Sequence, residues 1–130
     1  MDTCEALLTR RSIRRYKADP IPEDVLKEIL EAGLAAPSAI NLQHWYFVAV
    51  QDPDALEEVR QIMGGVVEKF TPVLEQRFAC HPEQVGITNK FLSTLGGAPV
   101  CVLVFLLKPD YPDRDGAMQS VSAAIENILL

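Results

Sequence analysis

Leu26, Ile29, Leu30 and Gly33 recur at i, i+3, i+4 and i+7, with Glu23, Lys27 and Glu31 interleaved at i+4 spacing. Apolar residues three and four apart share one face of a helix, so the pattern predicts an amphipathic helix over about Glu23 to Ala35. Pro20-Ile21-Pro22 suits an extended entry, with Pro22 in the first turn, where a missing N–H forfeits no hydrogen bond. The charges at i+4 add small stabilising pairs on the solvent face. Ahead of this, Asp2 with Glu5 three residues later has the form of a capping box and predicts a short helix over about Thr3 to Thr9.

The period changes at Trp45-Tyr46-Phe47-Val48-Ala49-Val50, an aromatic and β-branched run that reads as a buried strand, ended by Gln51-Asp52-Pro53. Asp54 to Met63 reads as a helix that Gly64-Gly65 breaks. From Val66 to Leu95 the mixed pattern predicts two or three short helices, interrupted at Thr71-Pro72 and, by a loop, at Cys80-His81-Pro82. Val100 to Leu107 is apolar throughout and entered through Pro99, the pattern of a strand covered on both faces and so of a sheet's centre. After a loop from Lys108 to Gly116, Val121, Ala124, Ile125, Ile128 and Leu129 keep helical period to the last residue. No glycine, asparagine or basic turn ends that helix, so the chain is expected to be shorter than its parent. With no repeat, linker or low-complexity tract, residues 1–130 read as a single domain truncated at its C-terminal end.

Composition sets the class. Hydrophobic residues make up 48% and charged ones 23% of the 130 residues, too apolar for disorder and enough for one modest core. No apolar run approaches the roughly 20 residues of a membrane-spanning helix, and Met1-Asp2-Thr3-Cys4-Glu5 is acidic where a signal peptide is basic, which points to the cytoplasm and to no membrane partner. Cys4, Cys80 and Cys101 are odd in number and form no CxxC pair, so neither a disulfide framework nor a zinc site is expected. A net charge of -6 argues against nucleic acid as a partner, yet Arg10, Arg11, Arg14, Arg15 and Lys17 crowd into one short segment. Taken alone, such a cluster reads as a solvated loop making weak surface ion pairs.

The chain has no GxGxxG, GxxxxGK[ST] or GxSxG, which leaves dinucleotide-binding Rossmann, P-loop and hydrolase readings without residues. Asp113-Arg114-Asp115-Gly116 has the look of a calcium loop, but that register puts Tyr111 and Ser122 where carboxylates are needed, so it reads as a solvated turn. His44 and His81 lack acidic or cysteine neighbours at metal-ligand spacing, and Cys101 lies in an apolar strand where a thiol is inert. No metal is expected.

More informative are two loops read together. Arg10, Arg11 and Arg14 around Ser12 supply forked guanidinium donors and a hydroxyl suited to a phosphate monoester. Pro37-Ser38-Ala39-Ile40-Asn41-Leu42-Gln43 offers small residues for close approach, with amide and hydroxyl groups that match a flat heterocycle. Each loop alone reads equally well as a surface turn.

In this order and spacing, Arg10-Arg11-Ser12-Ile13-Arg14-Arg15-Tyr16, then Ile21-Pro22 opening a helix, then Ala36-Pro37-Ser38-Ala39-Ile40-Asn41-Leu42-Gln43-His44-Trp45-Tyr46-Phe47 resemble the nitroreductase family of flavoproteins. The resemblance continues more loosely through Gly97-Ala98-Pro99-Val100 and through Ala123 to Leu130. Val66 to Leu95 is the family's variable region and supports no carry-over, Lys90 aside. What the resemblance implies is an α+β domain, three-layered α/β/α with a mixed, mainly antiparallel sheet, forming an intertwined homodimer with FMN at the subunit interface. On this pattern Arg10, Arg11, Ser12 and Arg14 hold the phosphate and ribityl chain. Pro37, Ser38, Ala39 and Asn41 from the partner copy line the flavin ring, with Gln43 in support.

The family's reaction is ping-pong: NADH or NADPH reduces the flavin and leaves, and a nitroaromatic, quinone or similar small acceptor takes the electrons. The flavin carries the chemistry, so no side-chain acid or base is named. Reductive dehalogenation and flavin breakdown run on the same fold, and a non-catalytic FMN-binding module is a further alternative. Two departures stand out. His44 occupies the family's usual proline position, and the family's later flavin contacts, with its C-terminal basic residue, lie beyond Leu130. The second departure predicts weakened FMN binding and dimerisation.

Overall fold

The computed structural model describes residues 2–108 and 114–130; residues 109–113 of the loop expected from Lys108 to Gly116 lie outside the described residues, while Arg114, Asp115 and Gly116, expected in a solvated turn, instead form the first turn of the last helix. In chain order the elements are α1 (Thr3–Thr9), α2 (Glu23–Leu34), β1 (Trp45–Val50), α3 (Pro53–Arg77), α4 (Glu83–Thr94), β2 (Cys101–Leu106) and α5 (Arg114–Leu129). Two 3-10 turns, Ala39–Asn41 and Leu95–Gly97, complete them. The fold is α+β, as expected. It divides into two compact units, one of Met1–Ser12, Ile21–Ala49 and Val102–Leu130, the other of Ile13–Pro20 and Val50–Cys101.

In the first unit, Asp2 caps α1 by accepting the Glu5 N–H at 2.8 Å, the hydrogen bond its sequence position predicts. Helix α2 packs on α5 at Gly33, where a Cβ would stand 2.8 Å from Cδ1 and Cγ1 of Ile128 and 3.2 Å from the Phe47 ring. The Asn127 side-chain amide ties the two helices by donating to the Ala32 carbonyl at 3.0 Å.

Among the described residues the sheet has two strands. Leu107 N donates to His44 O at 3.0 Å, and the Tyr46 and Phe105 rings face each other with centroids 6.4 Å apart. These contacts set an antiparallel register in which Trp45 opposes Leu106 and Phe47 opposes Val104. Those four side chains join Ala36, Val121 and Ala124 in the core. Tyr46 and Phe105 lie on the opposite face, 58% and 48% exposed. β2 is therefore not a strand covered on both faces at a sheet's centre. Its outward positions are as apolar as its inward ones, and an uninterrupted apolar run does not reveal which face is covered. Because a two-stranded sheet is marginal alone, its packing on α5 is what holds it.

In the second unit, α3 runs unbroken from Pro53 to Arg77, through Gly64-Gly65 and Pro72, where breaks were expected. Asp52 caps it by accepting the Ala55 N–H at 2.9 Å, with Pro53 in the first turn. Interior glycines cost about 1 kcal/mol each against alanine, and an interior proline about 3 kcal/mol. Packing offsets this: Leu56 and Leu74 are buried, and α3 lies along α4. Just before Pro72, Asn89 Nδ2 donates to Thr71 Oγ1 at 2.9 Å, and Thr71 Oγ1 donates to Val67 O at 2.8 Å, bracing the weakened turn. The loop at Cys80-His81-Pro82 falls where the sequence put it, and α4 follows at Glu83. No helix among the described residues is long and apolar enough to cross a membrane.

Candidate functional site

The basic segment divides at Ser12, its first part in the first unit and its remainder in the second. In the first unit Arg10 Nε stands 3.4 Å from Glu126 Oε1, an exposed ion pair of the kind that contributes under about 1 kcal/mol. Arg11 Nη1 donates to the carbonyls of Leu8 at 3.1 Å and Arg10 at 2.7 Å, so its guanidinium covers the C-terminal end of α1, where helix carbonyls want donors. Ser12 is exposed.

In the second unit the segment becomes a wall. Tyr16 N donates to Gly96 O at 2.9 Å, and the Tyr16 hydroxyl donates to Ile13 O at 2.8 Å, closing the stretch that carries Arg14 and Arg15. Opposite it, Ile87, Lys90, Phe91 and Thr94 recur at i, i+3, i+4 and i+7 and so share one face of α4. The helix ends in a left-handed turn, with φ of 50° at Leu95, 64° at Gly96 and 77° at Gly97. These parts enclose an open groove of about 570 Å³ lined by Arg14, Arg15, Ile87, Lys90, Phe91, Thr94, Gly96 and Gly97. Among the described residues the lining holds three cations, one aromatic ring and no carboxylate.

The second loop is built in the first unit. Ile40, Asn41 and Gln43 have φ of 45°, 59° and 50°, a left-handed conformation uncommon outside glycine and most strained at a β-branched residue. Local hydrogen bonds hold it: Asn41 N to Ser38 O at 3.0 Å, Leu42 N to Ala39 O at 3.1 Å, and Gln43 N to Ser38 Oγ at 3.2 Å. From behind, the buried Ser120 Oγ accepts the Ala39 N–H at 3.0 Å and donates to Gly116 O at 2.6 Å. Ser38 and Ala39 are thus committed to the loop's own frame. Pro37, Asn41 and Gln43 face solvent, and Ile40 is 79% exposed at its tip. Strain of this kind persists only where surroundings over-determine it, and it clusters at binding segments. His44, half-buried behind the loop, has its Nε2 shielded without a hydrogen-bond partner among the described residues.

The structure therefore gathers Pro37, Ser38, Ala39, Asn41 and Gln43 on one loop, and brings Arg14 to the same groove as Lys90. Sequence reasoning missed Ser120, whose hydroxyl reads from sequence as one more polar position on a helix. It also missed Arg15, Phe91, Thr94 and Gly96 as groove residues. The signal was present in the one-face spacing of Ile87, Lys90, Phe91 and Thr94, and in the glycine doublet that follows.

Comparison with known proteins identifies the family. The model of the Nitroreductase family matches residues 7–130, from within α1 to the last residue. A protein of Thermus thermophilus named NADH dehydrogenase is 54% identical over 65 residues, which is 50% of this chain and 32% of that protein. Iodotyrosine deiodinase 1 of Rattus norvegicus is 32% identical over 102 residues, 78% of this chain and 35% of that protein. The crystal structure of a nitroreductase with bound FMN from Bacteroides fragilis superposes with a TM-score of 0.69 at 28% identity, covering 97% of this chain and 61% of that one. The chain thus spans about a third of the length of these two curated relatives. With basic segment, second loop and α+β frame all inside one continuous family match, the chain belongs to the Nitroreductase family.

Proposed function

We propose that this chain is an FMN-dependent oxidoreductase passing reducing equivalents from NADH or NADPH to nitroaromatic, quinone or similar small acceptors. The observation that carries the reading is the groove where Arg14, Arg15 and Lys90 meet Ile87 and Phe91, in a chain of this family. Its volume of about 570 Å³ falls inside the roughly 300–1,000 Å³ of ordinary ligand pockets. A cationic, carboxylate-free lining suits a phosphate, and the apolar floor suits a ring, so the residues present fit FMN.

Bound FMN supplies the two-electron redox chemistry. Arg14 gives the phosphate forked donors, and Arg10, Arg11 and Ser12, just ahead of it in the chain, extend the grip over phosphate and ribityl. Arg15 and Lys90 add positive potential that favours negative charge on the ring, by the same Coulomb attraction that holds the phosphate. Pro37, Ser38, Ala39 and Asn41, supported by Gln43, cover the flavin of a second copy, so the working form is a homodimer. A loop strained at Ile40 and anchored from behind by Ser120 is a stiff presenter, which supports that role. A cytoplasmic setting goes with three cysteines that are all free.

The test is FMN binding by the purified chain, followed by NAD(P)H oxidation with a nitroaromatic and with a quinone. Arg14→Ala is expected to weaken FMN binding about tenfold or more, as loss of a charge-assisted hydrogen bond does. Folding stability should change by no more than about 0.5 kcal/mol, since the residue is exposed. A chain that takes up no FMN sinks the reading, and equal affinity in the variant removes Arg14 from the site.

A further inference from the structure

Gly96 does more than turn the chain. Its φ of 64° lies in the left-handed region, and a Cβ there would stand 2.7 Å from the Arg14 carbonyl oxygen, 3.1 Å from the Arg14 carbonyl carbon and 3.0 Å from Tyr16 Cδ2. The nearest of these atoms is backbone, which has no rotamer to move away by. The same glycine accepts the Tyr16 N–H on its carbonyl at 2.9 Å. The Arg14–Tyr16 main chain therefore rests on the bare face of Gly96 and is pinned there. Lys90 and Phe91 reach the groove from α4, which runs directly into Leu95–Gly97, so the spacing between Arg14 and Lys90 is set through this contact.

We propose that Gly96 is a positioning residue that seats the basic wall and fixes where Arg14 stands in the groove; its effect on the cofactor rests on the FMN reading above. Gly97 is the natural contrast. Its φ of 77° is also left-handed, but a Cβ there would lie 3.9 Å from Tyr16 O, an ordinary contact. Alanine at 97 pays the backbone strain without the collision.

The experiment compares Gly96→Ala, Gly97→Ala, Arg14→Ala and the Gly96→Ala/Arg14→Ala double variant, following FMN binding by flavin fluorescence and trypsin cleavage after Arg14 and Arg15. Gly96→Ala should weaken FMN binding by about tenfold to a hundredfold, and Gly97→Ala by less. The double variant should bind no more weakly than Arg14→Ala, because both substitutions remove one contact. Trypsin should cut the segment faster in Gly96→Ala than in Gly97→Ala. Additive losses in the double variant, or equal cleavage in the two glycine variants, overturn the proposal. If the unsubstituted chain binds no FMN, the cofactor reading falls, and the cleavage comparison alone decides whether Gly96 is the seat. Should Gly96→Ala not fold, Tyr16→Phe removes only the hydroxyl that closes the wall. It should weaken FMN binding with the melting midpoint unchanged, and unchanged affinity would count against the seat.

Discussion

If Arg10 grips the FMN phosphate as proposed, its ion pair with Glu126 is a contact with which that phosphate must compete. The pair is exposed, so removing the carboxylate costs little stability, while the guanidinium gains freedom to turn toward an anion. Glu126→Gln is therefore expected to raise FMN affinity by up to about fivefold, the equivalent of one surface pair. Titration of both proteins at equal ionic strength checks this, and a fall in affinity would mean that Glu126 holds Arg10 in its binding pose. Cysteine chemistry is also decided residue by residue. Burial pushes the Cys101 thiol above its usual range, whereas Cys4 and Cys80 are exposed. Iodoacetamide at neutral pH should label Cys4 and Cys80 first and Cys101 last. Because the folded state holds the Cys101 proton more tightly than the unfolded chain, the associated stability is fully present below the unfolded thiol pKa. It is lost as pH rises through the folded value. Mass spectrometry of labelled peptides across alkaline pH reports the order, and early labelling of Cys101 would refute it.

Among the elements, α2 packs closely on α5 at Gly33. A methyl at Gly33 meets the tip of Ile128 and the edge of Phe47. Alanine gains up to about 1 kcal/mol of helix propensity, and overpacking costs about 1–3 kcal/mol, so Gly33→Ala should destabilise by about 1 kcal/mol net. Ile128→Val removes Cδ1, one of the two side-chain carbons 2.8 Å from that methyl, so the double variant should be more stable than the sum of the single effects predicts; strict additivity in urea unfolding would disprove the contact. That packing was half legible in the sequence. The spacing of Leu26, Ile29, Leu30 and Gly33 placed a face, but nothing local told that Ile128 and Phe47 press against Gly33. The span of strand β1 and the cap at Asp2 were readable because they depend on neighbours in sequence. The continuity of α3 was not, because Gly64, Gly65 and Pro72 are local breakers overruled by packing on α4 and by Asn89, which bonds Thr71 from eighteen residues further along the chain. The site divided in the same way. Arg14 and Pro37 to Gln43 stood in contiguous motifs, whereas Lys90 and Gly96 join Arg14 only through the fold.

At the scale of the whole molecule, the loop and the groove make a prediction that neither makes alone. If Pro37, Ser38, Ala39 and Asn41 cover the flavin of a second copy, FMN binding and dimerisation are linked, and each strengthens the other. The chain has the surface for such an association. In the first unit Leu7 and Leu8 on α1 and Ile125 and Leu129 on α5 are exposed, as are Tyr46 and Phe105 on the outer face of the sheet. Burying apolar area at about 25 cal/mol per Å² favours association, although the entropy lost on docking offsets much of it. The apparent affinity for FMN should therefore rise about tenfold or more as protein concentration passes through the dimer's dissociation constant, and saturating FMN should shift sedimentation toward the dimer. Ile40→Asp, at the exposed tip of the strained loop, should weaken both in parallel while leaving the fold of each copy intact, since that side chain contributes little to its own core. A monomer that binds FMN with the same affinity at every protein concentration would show that one copy suffices, and the loop's strain would then need a different explanation.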